Sequence, residues 1–123
     1  MANQDSFEGG QQAAHETLSS GFQPTGIICV NDVMAVGVLR AVRDHGLSVP
    51  ADISVTRFDN IRLSEFSYPP LTTVHIPRDR IGHLAFEMLV PESARGKVGR
   101  EIVIDPELVL RESTGPAPHR DGR

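Results

Sequence analysis

Two polar pairs, Asn31-Asp32 and Asp59-Asn60, carry the side chains of this 123-residue chain best suited to hold a small molecule. An asparagine offers both a donor and an acceptor, and a carboxylate accepts at two oxygens. Together they suit a polyhydroxylated or heterocyclic ligand that needs several oriented hydrogen bonds. The plainer alternative makes Asp32 a helix cap and Asn60 a turn residue. Spacing alone leaves both readings open. Other chemistry is thinner. The five histidines lie far apart, and neither a Gly-x-Ser-x-Gly run nor a Cys/His pair occurs. His83 and Glu87 stand four apart and can in principle share a metal, but two ligands without a third describe a solvated helix face better. No catalytic residue, metal or cofactor is therefore expected, and the chain reads as something other than an enzyme.

The elements that must position those pairs follow from periodicity. Residues 10–19 are mostly helix formers and stop before Gly21. Thr25 to Val30 is a short apolar run rich in β-branched residues, which predicts a strand buried on both faces. It ends at Asn31-Asp32, with Asp32 placed to cap a helix whose Val33, Val36, Leu39, Ala41 and Val42 keep helical spacing. Ile53 to Phe58 alternates as a strand and stops at Asp59-Asn60. This β-α-β order predicts a parallel sheet, and ligands of open α/β sheets bind outside the carboxyl ends of the strands. Both polar pairs fall there. A polar and aromatic loop spans Ile61 to Pro70, and Leu71 to Ile76 reads as a further strand. Pro77 is placed as the first residue of a helix with an apolar stripe of Ile81, Leu84, Ala85, Met88 and Leu89. Glu101 to Ile104 and Leu108 to Leu110 read as two final strands, and 115–123 as a disordered tail.

Composition bounds the possibilities. Hydrophobic residues make 39% and charged residues 23%, the proportions of a soluble globular domain. No apolar run is long enough for a membrane helix, and the polar, acidic first ten residues do not resemble a secretory signal. The net charge is −4, and the densest basic group, Ala94 to Arg100, sits in a glycine-spaced stretch that reads as a surface loop. Direct contact with nucleic acid needs a clustered basic face, which is missing here, as is a helix-turn-helix pattern. The single cysteine, Cys29, lies inside the apolar run and reads as a buried thiol in a reducing compartment.

Five linked motifs then occur in one order. They are Pro24 to Ala41 with its Asn31-Asp32, His45 to Val55 with Val49-Pro50-Ala51-Asp52-Ile53-Ser54-Val55, Phe58-Asp59-Asn60, Pro69 to Val74, and Leu108 to Thr114. Over roughly residues 4–114 the chain resembles the C-terminal part of the sensor domain of LacI/GalR-family transcription regulators. The resemblance implies a three-layer Rossmann-like parallel sheet, an incomplete periplasmic-binding-protein-like type I domain. Residues 1–76 and 101–114 would form the C-terminal subdomain. Residues 77–100 would cross over to a missing N-terminal subdomain, whose absence leaves the helix stripe without its usual partner. DNA would be contacted only through a missing helix-turn-helix headpiece.

By the same resemblance, Asn31 and Asp59 are the expected effector contacts, joined by Ile76 and Arg78 at crossover positions and by Asp5. Ile76 stands where a glutamine is common, and Asp5 where an aromatic residue often stacks on a sugar, with Phe7 nearby. Arg57 replaces a glycine; it either contacts an anionic effector or points to solvent beside an altered loop. Homodimerisation is expected through Val36, Leu39, Phe66 and Tyr68, with the orphaned stripe a second reason to associate. The expected role is a cytoplasmic sensor of a sugar or purine-like effector within a transcription regulator. Two readings compete with it: a fragment of a periplasmic sugar-binding transport protein, and a truncated module that is inert by itself.

Overall fold

The structure is a computed structural model that describes residues 5–90, 99 and 101–119. In chain order it contains α1 (Phe7–Ser19), β1 (Gly26–Ile28), α2 (Asp32–Asp44), β2 (Ser54–Asp59), α3 (Leu63–Phe66), β3 (Thr72–His75), α4 (Arg78–Leu89) and β4 (Glu107–Val109). The strands form one sheet in the order β1-β2-β3-β4. The first three are parallel, as the β-α-β pattern predicts, with Ile28 opposite Thr56 and Asp59 opposite His75. β4 closes the edge antiparallel to β3.

Local chemistry sets where the helices begin. α1 starts earlier than expected because Ser6 caps it, its Oγ accepting from Gly9 N at 3.0 Å, with Glu8 in the first turn. The cap of α2 is Asn31 and not Asp32: Asn31 Oδ1 accepts from Met34 N at 2.9 Å, and Asp32 is already helical. Pro77 stands at the cap of α4, outside the helix it was expected to open. The polar loop before β3 contains the short helix α3. Residues 101–106 form no strand, so of the two final strands only the second exists.

The core lies between α2 and the sheet. Ala35, Val38, Leu39, Ala41 and Val42 of α2 meet Ile53, Val55, Leu71 and Cys29, with Ala14 of α1 joining them. Each buried Val, Ile or Leu contributes about 1.5–3 kcal/mol. α1 and α2 approach so closely that two glycines interlock: a Cβ on Gly10 would lie 2.3 Å from Met34 O, and one on Gly37 would lie 2.1 Å from Phe7 O.

β1 departs from expectation in burial. Ile28 is 87% and Val30 72% exposed while Cys29 between them is buried, because among the described residues only the face carrying Cys29 is packed against the core. α4 buries no residue, and Phe86, Met88 and Leu89 are exposed. No helix among the described residues is long and apolar enough to cross a membrane. The basic group at 94–100 lies outside the described residues except for Gly99. The start of the expected tail is tied down, since Gly115 N donates to Ser54 Oγ at 3.1 Å, while 120–123 lie outside the description.

Cys29 is buried, as its apolar surroundings predict, and burial pushes its thiol up to about 11 against a smaller opposing pull from the Arg57 charge. The thiolate is the reactive form. At pH 8, alkylation of the folded chain by iodoacetamide is therefore expected to run about a hundredfold slower than that of the urea-unfolded chain, from the thiolate fraction alone. Equal rates in a stopped-time mass-spectrometric assay would show that Cys29 is open.

Candidate functional site

Parallel pairing of β1 with β2 and of β2 with β3 brings three carboxyl ends to one edge of the sheet. Asn31 follows β1, Asp59 and Asn60 close β2, and His75, Ile76 and Arg78 close β3. Sequence reasoning placed Asn31 and Asp59 at the ends of neighbouring parallel strands, and they are found there.

The backbone at the end of β2 is unusual. Asp59 has φ 105° and Asn60 φ 55°, both in the left-handed region that costs a side-chain-bearing residue energy. Surrounding bonds hold the turn. Arg78 Nη2 donates to Asp59 O at 2.8 Å and lies 3.6 Å from Asp59 Oδ1, with both side chains about half exposed. Asn60 Oδ1 accepts from Arg111 Nη2 at 2.8 Å, and Asn60 Nδ2 lies 3.2 Å from His75 Nδ1. The result is a partly open carboxylate beside a guanidinium, which offers acceptors and donors to one ligand.

Asn31 is occupied locally. Its Oδ1 caps α2, and its Nδ2 makes a long 3.4 Å contact with Asp5 O. The helix-cap role that the plainer alternative gave to Asp32 thus falls to Asn31, whose amide NH2 holds Asp5 near the same edge. Ile76 is half-buried, and its carbonyl accepts from Arg78 N at 2.8 Å. Phe7 turns away from this edge to line a hollow of about 280 Å³ with Val36, Arg43 and Tyr68.

Arg57 does not point to solvent. Its side chain is fully buried and paired with Asp32, itself 2% exposed. Asp32 Oδ2 also accepts from Ile61 N at 2.9 Å, and Arg57 Nη1 donates to Phe58 O at 3.3 Å. The pair thus clamps the first turn of α2 to the residues on either side of Asp59-Asn60. In this arrangement Arg57 has no surface open to an anion, which corrects the anion-contact alternative. Arg57 Nε and Nη2 have no hydrogen-bond partner among the described residues. Burial, and secondarily the like charge of Arg111, pushes Arg57 down to about 10, while Asp59 and Cys29 pull the other way. It remains a cation at neutral pH.

Sequence reasoning missed Arg111, His75 and Ser113. Arg111 bonds Leu71 O at 2.9 Å and Asn60, and lies 3.5 Å from Glu65 Oε1. Ser113 is fully buried: its Oγ donates to Val55 O at 2.6 Å and accepts from Thr72 N at 2.8 Å, stitching β2 to β3. For Arg111 and Ser113 the signal was membership of the Leu108-to-Thr114 motif, whose distance from Asp59 in sequence hid its proximity in space; His75 carried no such signal.

Of the residues expected at a dimer contact, Phe66 is 73% and Tyr68 81% exposed, Val36 is half-buried, and Leu39 belongs to the core. His83 Nε2 and Glu87 Oε1 pair with each other at 3.1 Å on an exposed face. No group of three or more metal-ligating side chains occurs among the described residues.

Comparison with known proteins agrees with this architecture. Residues 1–114 match the periplasmic binding protein-like domain. The HTH-type transcriptional repressor PurR of Salmonella typhi is 40% identical over 117 residues, which cover 94% of this chain and 34% of that protein. The lac repressor dimer bound to operator and the anti-inducer ONPF superposes with a TM-score of 0.82 at 34% identity, covering 89% of this chain and 38% of that one. The transcription regulator CcpA of Lactococcus lactis gives a TM-score of 0.76 at 32% identity, covering 89% of this chain and 40% of that one. The chain spans about a third of the length of the curated relatives it matches. It belongs to the periplasmic binding protein-like domain family, and is homologous to the effector-binding domains of LacI-type transcription regulators.

Proposed function

We propose that residues 5–119 supply one wall of an effector-binding cleft, and a homodimer contact, in a bacterial transcription regulator that works in the cytoplasm. The observation that carries this reading is the half-exposed Asp59 carboxylate beside Arg78, at the carboxyl ends of adjacent parallel strands. Its effector is a small polar molecule, a sugar or purine-like compound, with Asp59, Arg78 and Asn31 as hydrogen-bonding residues and Ile76 and Asp5 at the margin. The exposed Phe66 and Tyr68 support a contact between two copies, since large exposed aromatic groups mark association surfaces. DNA would be reached through a headpiece outside these 123 residues. In that assembly an effector bridging two subdomains favours the closed cleft and so changes how the dimer presents its headpieces.

The test is calorimetry on the intact polypeptide that carries this chain, with a panel of hexoses, pentoses and nucleobases. Saturable binding of one panel member is expected, weakened at least about tenfold by Asp59→Ala, the order of a lost charge-assisted hydrogen bond. The 123-residue chain alone is expected to bind all of them weakly or not at all, because one wall buries too little of a ligand. Micromolar binding by the isolated chain, or affinity indifferent to Asp59→Ala, would overturn the reading.

A further inference from the structure

Arg111 follows β4, yet its side chain ends at the turn that closes β2. A guanidinium has donors and no acceptor. The atom of Asn60 that meets Arg111 Nη2 at 2.8 Å is therefore its carbonyl Oδ1. That orientation leaves the Asn60 NH2 facing His75 Nδ1 at 3.2 Å. An amide NH2 only donates, so Nδ1 must accept and carries no proton. The ring proton of His75 then sits on Nε2, which has no hydrogen-bond partner among the described residues. His75 is the register partner of Asp59 on β2 and of Glu107 on β4. Arg78 holds the Asp59 carbonyl and faces its carboxylate.

We propose that Arg111 is a positioning residue for the effector site and that His75 is a further ligand contact. Arg111 sets the orientation of the Asn60 amide, Asn60 sets the tautomer of His75, and His75 offers Nε2–H from the strand position paired with Asp59. A site so built takes a neutral polar molecule that combines a donor for Asp59 with an acceptor for His75. Vicinal hydroxyls or the edge of a nucleobase meet that requirement. The inference rests on the carboxyl edge being the binding edge, and it adds a donor that the sequence comparison of motifs left out.

The tautomer is read without any ligand, by long-range proton–nitrogen correlation of the histidine rings in the 123-residue chain at slightly alkaline pH. His75 is expected in the Nε2–H form. Arg111→Met frees the amide to turn and should give a mixture of tautomers, which Arg111→Lys, again a pure donor, restores. Asn60→Asp replaces the donor by an acceptor and should reverse His75 to Nδ1–H. A loss of packing alone would not reverse a tautomer, so an Nδ1–H form in the parent chain, or no reversal in Asn60→Asp, overturns the positioning role. In the intact polypeptide, His75→Leu should weaken binding of the hexose, pentose or nucleobase that binds by about tenfold, with His75→Gln, which keeps an Nε2–H donor, losing less. Affinity that falls with Asp59→Ala but not with His75→Leu removes the His75 contact and leaves the binding edge standing. Affinity unmoved by either change, or no binding by any panel member, removes the edge itself.

Discussion

Asp32→Ala should cost the fold about 3–5 kcal/mol, the usual consequence of leaving a buried charge without its partner. Arg57 is fully buried against Asp32, and its Nε and Nη2 have no other partner among the described residues to compensate. The same substitution strips Ile61 N of its acceptor, an additional loss beside the turn at Asp59-Asn60. Total stabilities of small domains are about 5–15 kcal/mol, so the single variant is expected to lose a large share of its stability. The decisive comparison is the double variant Asp32→Ala/Arg57→Met, which removes both charges and keeps an unbranched apolar chain in the space. Urea unfolding should show it more stable than Asp32→Ala alone by about 1–3 kcal/mol, a coupling typical of residues in direct contact. A double variant no more stable than the single would mean that Arg57 reaches solvent once Asp32 is gone. The pair would then be a surface feature, contrary to its burial.

Gly37→Ala should destabilise the chain although alanine is the better helix former. Propensity alone favours alanine over glycine by about 0.8–1.0 kcal/mol in a helix interior. Here the added methyl would lie 2.1 Å from Phe7 O and 2.8 Å from Gln11 N, backbone atoms that move only if α1 shifts as a body. Overpacking of this kind costs about 1–3 kcal/mol and occasionally more, so the clash outweighs the propensity gain. Gly37→Val should be worse, since it adds bulk to the same contact and a β-branched side chain to the helix. Gly82→Ala in α4 is the internal control: a Cβ there meets nothing within 4 Å, so helix content by circular dichroism should hold or rise. The two alanine variants moving in the same direction would mean that α1 and α2 do not pack as described.

Both expectations turn on contacts that the one-dimensional pattern could not display. Period and punctuation located α2 within a residue at its start, because Val36, Leu39 and Val42 recur at helical spacing and a capping pair precedes them. They could not say which member of the Asn31-Asp32 pair caps the helix. That choice depends on Arg57, which arrives from β2 and takes Asp32 inward, leaving Asn31 to bond Met34 N. The run ahead of them was legible as a strand but not as one with a bare face, because exposure of Ile28 and Val30 depends on what packs over the sheet. Residues 101–104 are β-branched enough to resemble a strand, and only the three-dimensional arrangement shows that the antiparallel place beside β3 goes to β4.

The candidate site divides the same way. Asp59 was legible because a strand that stops at an acidic residue in an α/β order presents it at the carboxyl edge. His75, Arg111 and Ser113 were not legible, since their partners lie 15, 51 and 58 residues away and a long-range hydrogen bond leaves no local period. From the residue order alone came the alternation of helix and strand, the parallel start of the sheet and the strand end at Asp59, carried by local periodicity and turn chemistry, and the family, carried by the resemblance of five ordered motifs. Left to the tertiary structure were the partners of each buried charge, the orientation of the Asn60 amide, and the surface that each apolar face covers or leaves bare. Those are properties of atoms brought together across the chain, and burial turns an ordinary polar residue such as Arg57 or Asp32 into one whose pairing decides stability.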